Sequence, residues 1–131
     1  MTDTANTIAL RAARDHLLAT RDDYDQAVAT FAWPQLKGPF CWATDWFDAI
    51  GRGSHTVALW IVEPDGSEQR LTYDDLVRRS DQVATWLAEQ GVGRGDRVML
   101  MLGNRVELWE SMLAVMKLGA IVLPTTTALG A

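Results

Sequence analysis

The sequence predicts an α/β fold: a β-hairpin followed by a βαβ unit of a mostly parallel sheet, with flanking helices. Three observations carry this. The stretch 71–124, LTYDDLVRRSDQVATWLAEQGVGRGDRVMLMLGNRVELWESMLAVMKLGAIVLP, passes from helical to strand patterning twice in succession. Its two strand segments, RVMLML and AIVLP, are apolar on both faces, as strands covered on both sides of a parallel sheet are. Ahead of it, Pro64-Asp65-Gly66-Ser67 separates two extended runs, a turn sequence in which Gly66 supplies φ > 0.

Taken in order, residues 5–31 read as one helix. Ile8, Ala12, Leu17, Leu18, Tyr24, Val28 and Phe31 form a partly helical apolar series, and Arg21, Asp22, Asp23 and Asp25 a solvated face. Pro34, Gly38 and Pro39 mark a loop. In the next segment, FCWATDWFDAIG, a short helix from about Ala43 places Trp42 and Trp46 on one face. That face is an anchor docked on a larger body or, on a second reading, the wall of an aromatic ligand pocket. Thr56 to Val62 and Gln69 to Leu71 are the hairpin strands. Thr72 caps the helix that follows, and Asp75 stands three residues on, as in a capping box. Leu76, Ser80, Val83 and Leu87 line its inner face, and Gly91 ends it.

The run Gly91-Val92-Gly93-Arg94-Gly95-Asp96 has the composition of a phosphate cradle but the wrong context. A dinucleotide fingerprint follows a strand and opens a helix, whereas this run follows a helix and enters the strand 97–102, so it reads as a tight turn. Gly103-Asn104 leads into a second helix, 105–118, apolar nearly all round, with Glu107, Glu110 and Lys117 as a narrow wet stripe. Gly119 stops it, and the crossover is expected to be right-handed. Met99, Met101, Met112 and Met116 read as core filler rather than a ligand box.

Composition bounds the function. The chain has 131 residues with 48% hydrophobic and 22% charged residues, an ordinary globular balance. A net charge of -5 without a basic cluster argues against nucleic acid as a partner. Cys41 is the one cysteine; it reads as a packed or surface thiol, since Phe40 and Trp42 offer no base, and a lone thiol fits a reducing, cytoplasmic setting. His16 and His55 have no ligand spacing, and no apolar run is long enough to span a membrane.

The LTY helix start, the G-V-x-x-G-D-R-V turn and strand, the asparagine after it, the A-x-x-K-x-G-A helix end and the closing proline together resemble the N-terminal region of adenylate-forming enzymes. FCWATDWFDAI and the PTTTALG run are similar, more narrowly, to the medium-chain acyl-CoA synthetase branch. The resemblance divides the chain into a helical and aromatic lead-in, 1–54, and the start of an AMP-binding domain, 55–131, ending ahead of the phosphate-binding loop. It implies a carboxylic acid substrate and use of ATP, Mg²⁺ and coenzyme A by the complete enzyme. The family's Ser/Thr/Gly-rich loop ending in lysine, its adenine-side aromatic motif, its ribose-binding aspartate and its C-terminal lysine have no counterpart in these residues. No catalytic or metal-ligating residue is therefore assigned, and the chain alone is expected to be inactive and to bind no cofactor. The candidate ligand contacts are Thr125, Thr126 and Thr127, at the carboxyl end of a strand, where open α/β sheets bind ligands. The alternative for these hydroxyls is satisfaction of the strand exit. The competing reading of the whole chain is a free-standing α/β module that self-associates through the open edge at 120–123.

Overall fold

The computed structural model describes residues 4–128, which divide into two compact units, Met1–Phe40 and Cys41–Ala131. In the first, helices α1 (Ala5–Ala19) and α2 (Tyr24–Thr30) replace the single helix expected over 5–31. The break has a local cause. The Thr20 backbone N–H and hydroxyl both donate to His16 O, closing α1, and the Asp23 carboxylate accepts from Gln26 N, opening α2. Arg21, Asp22, Asp23 and Asp25 are solvent-exposed as expected. The extended segment after α2 returns to α1, where the Asn6 amide donates to Lys37 O and accepts from Lys37 N, each at 3.0 Å.

The second unit opens with a π-helical segment, Trp42–Asp48, that runs into one helical turn, α3 (Ala49–Gly51). Strands β1 (Val57–Val62) and β2 (Glu68–Thr72) pair antiparallel. Gly66 N donates to Glu63 O and Gly66 takes φ 84°, the three-residue hairpin loop whose last residue is left-handed. Helix α4 (Tyr73–Glu89) carries the complete capping box: Asp75 N donates to Thr72 Oγ1 at 3.1 Å, and Thr72 N to Asp75 Oδ2 at 3.0 Å. Leu76, Val77, Ser80 and Ala84 are its buried residues; Ser80 sits on the apolar face because its hydroxyl donates to Leu76 O.

Strand β3 (Arg97–Leu100), helix α5 (Val106–Lys117) and strand β4 (Ile121–Pro124) form the βαβ unit, with β3 and β4 parallel and Met99 beside Leu123. Both helices end in the same way. Gly91 N donates to Ala88 O and Val92 N to Leu87 O; Gly119 N donates to Met116 O and Ala120 N to Val115 O. These are two Schellman motifs, with left-handed glycines at φ 89° and 67°. Ala43, Phe47, Ile61, Leu71, Leu76, Val77, Val106 and Leu113 form the core between hairpin, α4 and α5.

Two expectations are corrected here. The parallel strands are not covered on both faces, because α5 packs on one side only. Met99, Met101, Ile121 and Leu123 are exposed on the other, so Met99 and Met101 are not core filler. And α5 has no three-residue wet stripe: Glu107 is exposed, but Glu110 is buried and the Lys117 side chain is turned inward. No described helix is long and apolar enough to cross a membrane.

Candidate functional site

The sequence-predicted threonines lie at the carboxyl ends of β3 and β4. Thr125 N donates to Leu100 O at 2.9 Å, extending the parallel ladder by one residue and fixing the threonine run beside the end of β3. The Thr125 hydroxyl donates to Thr126 O, and the Thr126 hydroxyl accepts from Ala128 N at 3.1 Å. Thr126 and Thr127 are exposed. The rest of the PTTTALG run, Leu129 and Gly130, lies outside the described residues. Asn104 does not cap α5; its side-chain oxygen accepts from Trp109 Nε1 at 3.2 Å, which orients that indole.

The glycine run contributes no free cradle. Its amides at Gly91, Val92, Gly93, Gly95 and Asp96 donate to Ala88 O, Leu87 O, Asp96 Oδ2, Gly119 O and Gly93 O. An anion there would also face the Asp96 carboxylate. The G-V-x-x-G-D pattern thus codes a helix stop, a left-handed turn and a carboxylate that closes it.

A buried ion-pair network that sequence reading missed joins the last residue of α5 to α4 and to the π-helical segment. The Lys117 ammonium, on a side chain 6% exposed, reaches Asp81 Oδ1 of α4 at 2.7 Å and Val77 O at 3.3 Å. It also lies 2.8 Å from Asp48 Oδ1, forming an ion pair with that carboxylate. Arg52 closes the set, 3.1 Å from Asp81 and 3.6 Å from Asp48. Burial pushes the Asp48 carboxyl above its ordinary 3.8, opposed in part by Lys117. Burial acts the same way on Asp81, but hydrogen bonds and charge from Lys117 and Arg52 outweigh it and hold that carboxyl below 3.8. A second pair, Arg79 with the buried Glu110, also ties α4 to α5. The one available signal is charged residues, Glu110 and Lys117 among them, on a largely apolar helix.

The aromatic segment is divided in its roles. Ala43, Phe47 and Asp48 are buried, Trp46 is half-buried and Trp42 is exposed, so the face that meets the core is not the one defined by the two tryptophans. Trp42 and Phe47 instead form part of the wall of an apolar cavity of about 310 Å³. Cys41 is a packed thiol whose Sγ donates to Met116 O at 3.3 Å. Among the described residues, no group of three His, Cys, Asp or Glu side chains could hold a metal ion.

Hairpin, capped helix and βαβ unit form a piece of an open α/β domain. Residues 47–131 match the AMP-binding enzyme family, and the chain belongs to that family. A 4-hydroxybutyrate–CoA ligase of Metallosphaera sedula is 36% identical over 93 residues, covering 69% of this chain and 16% of that protein. The mitochondrial acyl-coenzyme A synthetase ACSM3 of Rattus norvegicus is 34% identical over 83 residues, 63% of this chain and 14% of that protein. The crystal structure of a Brucella canis acyl-CoA synthetase superposes with a TM-score of 0.67 at 31% identity, covering 82% of this chain and 21% of that one. The chain therefore spans only a small part of the length of its relatives, and its fold is that of the N-terminal part of adenylate-forming enzymes.

Proposed function

We propose that this chain is the N-terminal scaffold of an ATP-dependent, AMP-forming acyl-CoA synthetase. In that reaction a carboxylate oxygen attacks the α-phosphate of ATP, with Mg²⁺ at the phosphates, and pyrophosphate leaves. The thiol of coenzyme A then attacks the acyl carbon, and AMP leaves as the thioester forms. The names of the relatives, a CoA ligase and an acyl-coenzyme A synthetase, support this reading. Such chemistry needs preorganised donors and a cation at the developing charge. The observation that carries the division of labour is the glycine run, whose amides at Gly91, Val92, Gly93, Gly95 and Asp96 already donate to α4, to the turn itself and to Gly119 O. This chain therefore positions a sheet edge, and the phosphate donors come from other residues of the complete enzyme. Thr125, Thr126 and Thr127 belong to the proposal as contacts for the nucleotide or the acid at that edge, and the setting is cytoplasmic.

The test is pyrophosphate release with ATP, Mg²⁺, a medium-chain acid and coenzyme A. The isolated chain is expected to give background only, and robust turnover by it overturns the assignment. In the complete enzyme, Thr126→Ala is expected to weaken ATP or acid binding, and unchanged constants for both remove the threonines from the proposal. A second reading, a self-associating α/β module without catalysis, is favoured by the uncovered face of β3 and β4. Continuation of the reading frame past Ala131 into a Ser/Thr/Gly-rich loop ending in lysine separates the two.

A further inference from the structure

We propose that the cavity between the π-helical segment, β1, α4 and α5 is a binding site for a small neutral aromatic molecule. The cavity holds about 310 Å³. A buried apolar cavity of about 150 Å³ already takes benzene, so this space admits one substituted ring. Its walls include Trp42, Phe47, Leu59, Tyr73, Trp109 and Met112, and none of its lining side chains is ionised.

The backbone gives a second, independent observation. In an α-helix, residues five apart point about 140° away from each other. Hydrogen bonds spanning five residues bring them nearly into line, and such segments are rare and recur at functional sites. The π-helical geometry of Trp42–Asp48 is thus what turns both Trp42 and Phe47 toward the cavity, with ring centroids 5.6 Å apart. Phe47 in turn lies 5.6 Å from the Tyr73 ring, and Asn104 fixes the Trp109 indole. Rings held at several inclinations suit edge and face contacts with a guest ring, and methionine adjusts to its outline. The walls offer a carboxylate no cation, only neutral donors such as the Tyr73 hydroxyl. The site therefore differs in chemistry from one for the carboxylic acid of the proposed reaction, and the inference does not depend on that reaction.

Toluene titrated into the 131-residue chain, followed by indole N–H and methionine methyl NMR signals, tests the proposal. Saturable shifts confined to Trp42, Trp109, Met112 and Met116 are expected, with no saturable response to benzoate. Ala58→Phe and Met112→Phe fill the space from β1 and α5. Each is expected to weaken toluene binding by about tenfold or more while the helical circular dichroism is kept. Unsaturable shifts, equal binding of benzoate, or undiminished binding in the filled variants overturn the proposal. So do Trp42 and Trp109 signals that move with protein concentration and ignore toluene, because a second copy then occupies the cavity.

Discussion

At the scale of single residues, Gly51 is held by space rather than by backbone conformation. A Cβ there would stand 3.0 Å from Val77 Cγ2 and 3.4 Å from Tyr73 Cβ, and Val77 is completely buried. Neither neighbour can move freely, because the core around α4 is close-packed. Gly51→Ala is expected to cost about 1–3 kcal/mol, the usual range for overpacking. Gly103, with nothing within 4 Å of its Cβ position and no positive φ, is the control. Gly103→Ala should stay within about 0.5 kcal/mol of the wild type. Urea midpoints of the two variants check this, and equal midpoints remove the packing argument. The sequence distinguishes these two glycines poorly, since steric fit depends on a helix more than twenty positions away. Gly91 and Gly119 were legible, because a glycine directly after an amphipathic run has a local reason to be there.

At the scale of elements, the docking of α5 rests on charge as well as on apolar area. Removing one partner from a buried ion pair leaves an uncompensated charge and costs about 3–5 kcal/mol, whereas replacing the pair together can be nearly neutral. Lys117→Met is therefore expected to destabilise by about 3 kcal/mol, and Lys117→Met with Asp48→Asn to recover part of that loss. Additive effects in this double-mutant cycle would show that the two groups do not interact. The same network has a pH signature. Asp81 is held below 3.8, so its contribution to stability is complete above 3.8 and is lost as the pH falls through its folded value. Asp75, bonded by the Thr72 hydroxyl and amide, and Asp74, bonded by Gly53 N, act in the same direction. Asp48 acts oppositely: raised by burial, its contribution is complete below 3.8 and disappears as the pH rises through its folded value. Thermal melts taken downward through pH 3.8 should show stability falling, and falling more steeply in Asp48→Asn. An acid limb unchanged by that substitution contradicts the assignment. None of this was readable from α5 alone. Glu110 and Lys117 looked like a wet stripe because their partners come from other elements, Asp81 lying 36 positions from Lys117. The helix itself, its cap and its stop were readable, because their determinants lie within one turn.

At the scale of the whole molecule, the strand sequences and the structure differ in one informative respect. RVMLML and AIVLP carry apolar residues on both faces, yet α5 covers only one. Met99, 64% exposed, stands beside Leu123, 40% exposed, and Arg97 beside Ile121 on the same face. In a two-stranded sheet both strands are also edges with unpaired backbone groups. The apolar pattern of these strands thus records a covering layer that the described residues do not supply. Exposed apolar faces and open edges drive association. The isolated chain is accordingly expected to self-associate with rising concentration, and Met99→Lys combined with Leu123→Lys to return it to a monomer. Both substitutions point away from α5, so the melting temperature of the monomeric form should change little. Size-exclusion chromatography with light scattering checks the outcome across a concentration series. A compact wild-type monomer at every concentration would show that this face is tolerated in water, and would favour a domain that folds and works alone.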